Sequence, residues 1–466
     1  MSFLAHIRGL DPAPRRFLFF TAFNVVSWQC IVGQVLVLFG RHVDMPPSWV
    51  GFLLAFLPLS MIIILGTVPL VVWWGPKRLM LSAWFSRNVV ACAVFTMPWT
   101  IYVWGPKAAW YVLLFTTLAF CLARALGAAG WLPWLHEVVP ERQRGPYFSA
   151  EVAVAQTINV GVTLVQAFIL LGNPGLTQFL IVYAIGIAAG FISLLWMGRV
   201  PGGKGSRELI SIAEGFASYK GALANKSFVR FVIVASLCFV AVTWASAAYV
   251  LFLRDAMKLS SHTIMFILAA GSFGILLSIR HWAHFAELNG SGLTMFLSLI
   301  GYALASFFCI ELIPDMAWAP YAAGALYVAI SVFNAAFWMA VHRAMLNFVP
   351  ETDRVSYTNL WTVGTSLALA ATPVAVGYIV EWFGIWGFRS CFLLSTLMCL
   401  VCAVLSRAAV QDGQPFDRSI GPMLDPVQPF RTVGRILWIT LGLHSSNPNR
   451  RKRSVTAPAK TGTTGN

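Results

Sequence analysis

The sequence predicts an all-α polytopic membrane protein: twelve transmembrane helices in two pseudo-symmetric six-helix bundles. Three observations predict it. First, 58% of the residues are hydrophobic and only 11% charged, with a mean hydropathy of +0.75. Second, the chain divides into about twelve apolar runs of roughly 20 residues, each long enough to cross a bilayer. Third, its two halves repeat. Val139-Pro140-Glu141-x-x-Arg144-x-x-Tyr147 recurs 210 residues later as Val349-Pro350-Glu351-x-x-Arg354-x-x-Tyr357. Leu38-Phe39-x-Arg41 recurs at a shift of 213 as Leu251-Phe252-x-Arg254, and Gly75 at a shift of 215 as Gly290. A duplicated membrane unit belongs mostly to carriers that rock two halves about a central site.

The runs fall near 17–39, 49–74, 79–103, 108–134, 150–171 and 178–198 in the first half. In the second they fall near 228–252, 262–281, 292–311, 318–342, 357–380 and 388–406. They must be helical, because a backbone facing lipid has to satisfy its own hydrogen bonds. The expected organisation is an N-terminal bundle over 1–198, an amphipathic cytoplasmic linker over 199–227, a C-terminal bundle over 228–406 and a basic, partly disordered tail over 407–466. With the N-terminus in the cytoplasm, 25 of the 32 Lys and Arg residues fall on the inner side and five on the outer. That asymmetry predicts a multi-pass protein of the plasma or inner membrane with both termini cytoplasmic. It also accounts for the formal charge of +15 through anionic lipid headgroups, with no call for nucleic acid. All eight cysteines fall within predicted spans, so no disulfide framework is expected.

These features resemble the major facilitator superfamily, and the resemblance covers roughly residues 15–406. That family carries Gly-x-x-x-Asp-x-x-Gly-x-Lys/Arg between its second and third helices. Here Gly75-Pro76-Lys77-Arg78 keeps the glycine and the basic end, with Val72 at the acidic position. The second copy, Ala283-x-x-x-Glu287-x-x-Gly290, keeps the acid and lacks the basic end. Pro373-x-x-x-Gly377-x-x-x-Glu381-x-x-Gly384 resembles the family's eleventh helix. The resemblance implies two rocking bundles, with helices 1, 4, 7 and 10 lining a central cavity and helices 3, 6, 9 and 12 peripheral.

Candidate site residues follow from polarity at membrane depth. Arg124 lies past the middle of the fourth run, where a charge costs roughly 3 kcal/mol unless aimed at a cavity or partner. Its repeat counterpart is Asn334. Asn24, Ser27 and Gln34 share one face of the first helix, and Gln156, Asn159, Thr163 and Gln166 one face of the fifth. A third stripe holds Asn359, Thr362 and Ser366. The expected substrate site is Arg124, Asn334, Asn24, Gln34, Gln156 and Asn159. Glu141, Arg144, Glu351 and Arg354 are the expected cytoplasmic gate, pairing across the bundles when that side closes. Arg87, on a helix that the resemblance makes peripheral, is expected to snorkel to the inner headgroups.

No Asp or Glu falls in the middle of a run, and no catalytic or metal-ligand motif occurs, so neither an enzyme nor a cofactor is expected. Gly198-x-x-x-x-Gly203-Lys204 approaches a phosphate-binding loop, but Gly205 stands where Ser or Thr belongs, and a membrane helix, not a strand, precedes it. The expected activity is secondary transport of a small polar or anionic solute by alternating access, in a monomer. A receptor or scaffold that keeps the fold without transport is the alternative.

Overall fold

The computed structural model describes residues 10–205, 219–312, 316–350, 354–410 and 440. Twelve helices among these residues are long and apolar enough to cross a membrane. We label them α1 (Pro12–His42), α2 (Pro47–Gly66), α3 (Pro76–Trp104), α4 (Ala108–Ala128), α5 (Ala150–Ile169) and α6 (Leu176–Gly198) in the first bundle. The second holds α7 (Lys226–Ala256), α8 (Ser261–Asn289), α9 (Ser291–Ile310), α10 (Ala319–Phe348), α11 (Ser356–Phe383) and α12 (Ile385–Ala409). Residues 206–218 of the linker, nearly all of the tail, and the side chains of Glu141, Arg144, Glu351 and Arg354 lie outside the described residues, and the expected gate lies with them.

Below, the basic face is the end carrying the loop at Gly75 and the 199–205 segment; the other end is the opposite face. The duplication is visible in local geometry. Gly75 and Gly290 take φ of +88° and +86° just before α3 and α9, a conformation that penalises any residue with a Cβ. Asp44 and Lys258, both with positive φ, turn the chain after α1 and α7. Arg41 donates to the Met45 carbonyl at 2.5 Å and Arg254 to the Leu259 carbonyl at 3.3 Å, so each arginine ties down its own turn.

The repeat shift rises from 213 at the arginines to 214 at those turns. Phe252–Ala256 is π-helical, and a π turn is how a helix absorbs one extra residue. Asp255 is the residue so presented, and it pairs with Arg41 of the first bundle at 3.0 Å. A second tie lies at the same face, where the Ser48 amide donates to Glu381 at 3.1 Å. Below it α2 and α11 cross backbone to backbone. A Cβ on Gly51 would lie 2.4 Å from the Pro373 carbonyl oxygen, and one on Gly377 2.5 Å from that of Pro47. On the other flank α5 meets α8, where Asn159 donates to Ser272 at 3.1 Å and Phe168 meets Phe266 edge-on. The two bundles therefore close on each other at the opposite face.

At the basic face the phosphate-loop-like segment has a structural role. The Gly203 amide donates to Glu137 at 2.8 Å, Lys77 reaches the Val200 carbonyl at 2.5 Å, and Trp134 reaches Pro201 at 2.8 Å. Its glycines let the strap lie against the α3 entrance: a Cβ on Gly75 would lie 2.4 Å from the Gly205 amide. Nearby, Pro69 has no N–H to offer the Leu65 carbonyl four residues earlier. The Tyr219 hydroxyl donates to that carbonyl at 3.4 Å and accepts from Asn359 of α11 at 3.1 Å.

Candidate functional site: a central cavity between the bundles

A cavity of about 870 Å³ lies between the bundles, walled by α1, α2, α5, α8 and α10. Its first-bundle wall depends on a break in α1. The helix stops at Ile31 and resumes at Val35. Gly33 sits in the break because a Cβ there would meet the Gln29 carbonyl at 2.4 Å. An interrupted membrane helix is tolerable only where its freed carbonyls find other donors. Here Gln166 donates to the Gln29 carbonyl at 3.2 Å, and the Tyr183 hydroxyl to Ile31 at 3.0 Å. Gln29 before the break and Gln34 after it both line the cavity.

The α5 stripe completes that wall. Gln156, Asn159, Thr163 and Gln166 all line the cavity, as expected of residues sharing one helical face. From the second bundle, α10 contributes Tyr327, Ser331, Asn334, Trp338 and His342. They recur at intervals of three and four, one turn above another. Gly271 of α8 lets α10 approach, since a Cβ there would overlap the Tyr327 ring at 2.5 Å and the Ser331 hydroxyl at 2.6 Å. His342 stacks on Trp338 with centroids 5.2 Å apart and bonds through Nδ1 to the Trp338 carbonyl at 2.8 Å. With Trp361 and Phe239 around it, this end of the wall is aromatic. Asn159 and Asn334 each keep a buried carbonyl oxygen without a partner, and so does Gln156. The described lining is mostly aliphatic and aromatic, with amides, hydroxyls and one imidazole set into it, and holds no Asp, Glu, Lys or Arg.

Gln34, Gln156, Asn159 and Asn334 thus stand around one cavity. Arg124 and Asn24 are not among the residues lining it, a correction to the expected placement. Asn24 faces the interior of the first bundle, where its carbonyl oxygen accepts from Arg87 at 2.6 Å and from Trp84 at 3.0 Å. Arg87 does not snorkel. It is 0% exposed, and its guanidinium lies 4.5 Å from the Trp84 ring and 5.1 Å from Phe120. Desolvated contacts of this kind are worth about 2 kcal/mol. Arg124, one turn beyond Phe120, is close enough to repel the Arg87 charge. The sequence reading treated each arginine alone; the fold brings them together because α3 packs along α4. Of the α11 stripe, Asn359 binds Tyr219 instead of facing this cavity.

Sequence reasoning missed Gln29, Ser272, Tyr327, Ser331, Trp338 and His342. The α10 set carried a readable signal, the spacing −7, −3, 0, +4 and +8 about Asn334. Gln29 carried none, because it lies off the face of α1 that Asn24 and Ser27 mark.

The structure is a polytopic helical bundle with a cavity between two like halves, its apolar walls carrying a few amide and hydroxyl groups. The family model described as Major Facilitator Superfamily matches residues 231–446. Solved structures with the same fold include a mutant of the nucleoside transporter NupG, at a TM-score of 0.66 and 14% identity over 86% of this chain and 100% of that one. The D-xylose-proton symporter gives 0.66 and 12% over 88% and 99%. A bacterial homologue of the iron transporter ferroportin, in its inward-facing state, gives 0.65 and 12% over 88% and 99%. A comparison with curated proteins finds no match. With twelve helices long and apolar enough to cross a membrane, the chain is a multi-pass membrane protein that shares the fold of these transporters, and its second half matches the family model.

Proposed function

We propose that the protein is a secondary transporter that carries a small, uncharged, hydrogen-bonding solute by alternating access. The observation that carries the substrate class is the uncharged cavity lining. Side-chain amides and hydroxyls satisfy hydroxyl, carbonyl and amide groups, while a buried ion needs an opposite charge that these groups do not supply. The unpartnered carbonyl oxygens of Gln156, Asn159 and Asn334 call for donors, and the Trp338–His342 stack offers a flat face to a ring. A polyhydroxy or heterocyclic ring solute, such as a sugar or a nucleoside, fits that chemistry. The sequence left an anionic solute open through Arg124, which does not line this cavity.

Gln34, Gln156, Asn159 and Asn334 bind the solute in this reading, with Gln29 and Ser331 beside them. The basic face lies in the cytoplasm and the protein acts as a monomer in the plasma or inner membrane, its basic surface against anionic lipid. Contacts at the opposite face hold the bundles together there, so solute enters from the basic face in this conformation. Counterflow in proteoliposomes tests the reading. Liposomes loaded with a neutral sugar or nucleoside are expected to accumulate labelled solute of the same class. Counterflow of organic anions alone would overturn the substrate class. Saturable binding of a neutral solute with no counterflow would favour a receptor that keeps the fold.

A further inference from the structure

The first bundle holds a cationic centre that the transport reading does not use. Arg87 lies eleven residues into α3, about 16 Å along the helix from its basic-face end. It is fully buried. Asn24 satisfies one of its Nη atoms, while Nε and the other Nη are buried without a partner. Asn24 adds no charge, and its carbonyl oxygen already serves two donors. Phe120 and Arg124 stand one turn apart on α4 and so share a face, and the Phe120 ring contacts Arg87, which sets Arg124 on the side of α4 that packs along α3. Among the described residues no carboxylate pairs with either arginine.

A fully buried guanidinium with donors still unsatisfied, beside a helix face that carries a second, partly buried arginine, is a standing demand for a negative charge. Deprotonation does not meet it, because a guanidinium stays charged. A lipid phosphate does not meet it, because the Arg87 side chain is enclosed on all sides at a depth where headgroups do not sit.

We propose that the Arg87–Arg124 centre binds a small inorganic anion of halide size inside the first bundle. Arg87 donates to it through its unpartnered Nη, and Arg124 supplies the second charge. The site is separate from the central cavity, so the anion supports the bundle that carries Gln34, Gln156 and Asn159 without touching the solute.

The test is thermal unfolding of the purified full chain while potassium chloride replaces potassium gluconate at constant ionic strength. A ligand bound only by the folded state raises the midpoint with its concentration and saturates. Wild type is expected to show that saturating rise, with bromide replacing chloride, and Arg87→Gln is expected to lose it. If Arg87→Gln does not fold, Arg124→Gln provides the same comparison. A wild-type midpoint equal in the two salts, or an equal rise in the variants, overturns the proposal. A rise with phosphate, or with phosphatidylglycerol nanodiscs at fixed chloride, but not with halide, overturns it in favour of a phosphate group. Neutral-solute counterflow reads the cavity independently, so failure of one inference is distinguishable from failure of the other.

Discussion

Gly51→Ala is the sharpest probe of alternating access. The added Cβ would lie 2.4 Å from the Pro373 carbonyl oxygen and 3.0 Å from both its carbon and the Val374 Cα. Ordinary contact is about 1 Å longer than the shortest of these, and all three atoms are backbone, so no rotamer change relieves the overlap. The bundles must part by roughly 1 Å at that crossing, and that strains the Ser48–Glu381 bond. Overpacking of this size costs about 1–3 kcal/mol. The cost falls on the conformation closed at the opposite face and not on the one open there, so the ratio of the two shifts by roughly 5- to 150-fold. Thr163→Cys is the reporter: Thr163 lines the cavity and is 6% exposed. An impermeant thiol reagent applied from the opposite face reaches it only when the bundles part. Gly51→Ala is expected to raise that labelling rate several-fold or more, saturating when the open form predominates. Unchanged labelling in a protein that remains folded would refute the reasoning.

Three further outcomes follow from the same geometry. Asn334→Ala and Gln156→Ala each remove an amide from the cavity, and a neutral hydrogen bond is worth about 0.5–1.5 kcal/mol, so solute affinity measured by binding should fall roughly 2- to 12-fold per variant. Arg41→Asp should weaken the opposite-face closure, and adding Asp255→Arg should restore it; the pair is about one-fifth exposed, so a double-mutant cycle on the same labelling rate should give under about 1 kcal/mol of coupling. Gly33→Ala should lower the unfolding midpoint, because its Cβ meets the Gln29 carbonyl; an unchanged midpoint would mean that the α1 break adjusts freely.

Much of the fold was legible because lipid leaves the backbone few choices. Twelve apolar runs had to be twelve helices, and the repeat fixed their division into halves. Pairing between helices was far less legible. Nothing in the spacing of Arg87, Asn24 and Arg124 says that they meet, because that depends on which faces of α1, α3 and α4 pack together. Arg87 looked like a snorkelling residue since its distance from the helix end was readable while its rotation about the helix axis was not. The α5 stripe was readable because four polar residues on one face have few places to go in a membrane. Gln29 was not, because it lies off the face that Asn24 and Ser27 mark, and which face of α1 meets the cavity depends on packing.

The way the two halves differ bears on the mechanism. A solute without two-fold symmetry is held best by unlike walls, and here duplicated helices have diverged into unlike walls. The first half contributes a broken α1 and the amide ladder of α5; the second contributes α8 and the aromatic stripe of α10, while its α7 stays helical past the level of the α1 break and does not line the cavity. Asn334 reaches the cavity while its counterpart Arg124 is not among the residues lining it, so the charge that the repeat would have placed in the cavity wall is absent from it. The closures diverged as well. One extra residue in the π turn of α7 supplied Asp255 for Arg41, and the matching level of α1 has His42, not an acid, after its arginine. If that residue is what sets the closure, deleting Asp255 should restore the 213-residue register, remove the π turn and abolish the cross-bundle pair together. Asp255→Ala should abolish the pair alone. Opposite-face labelling of Thr163→Cys separates the two: equal increases would assign the closure to the charge, and a larger increase on deletion would assign part of it to the turn.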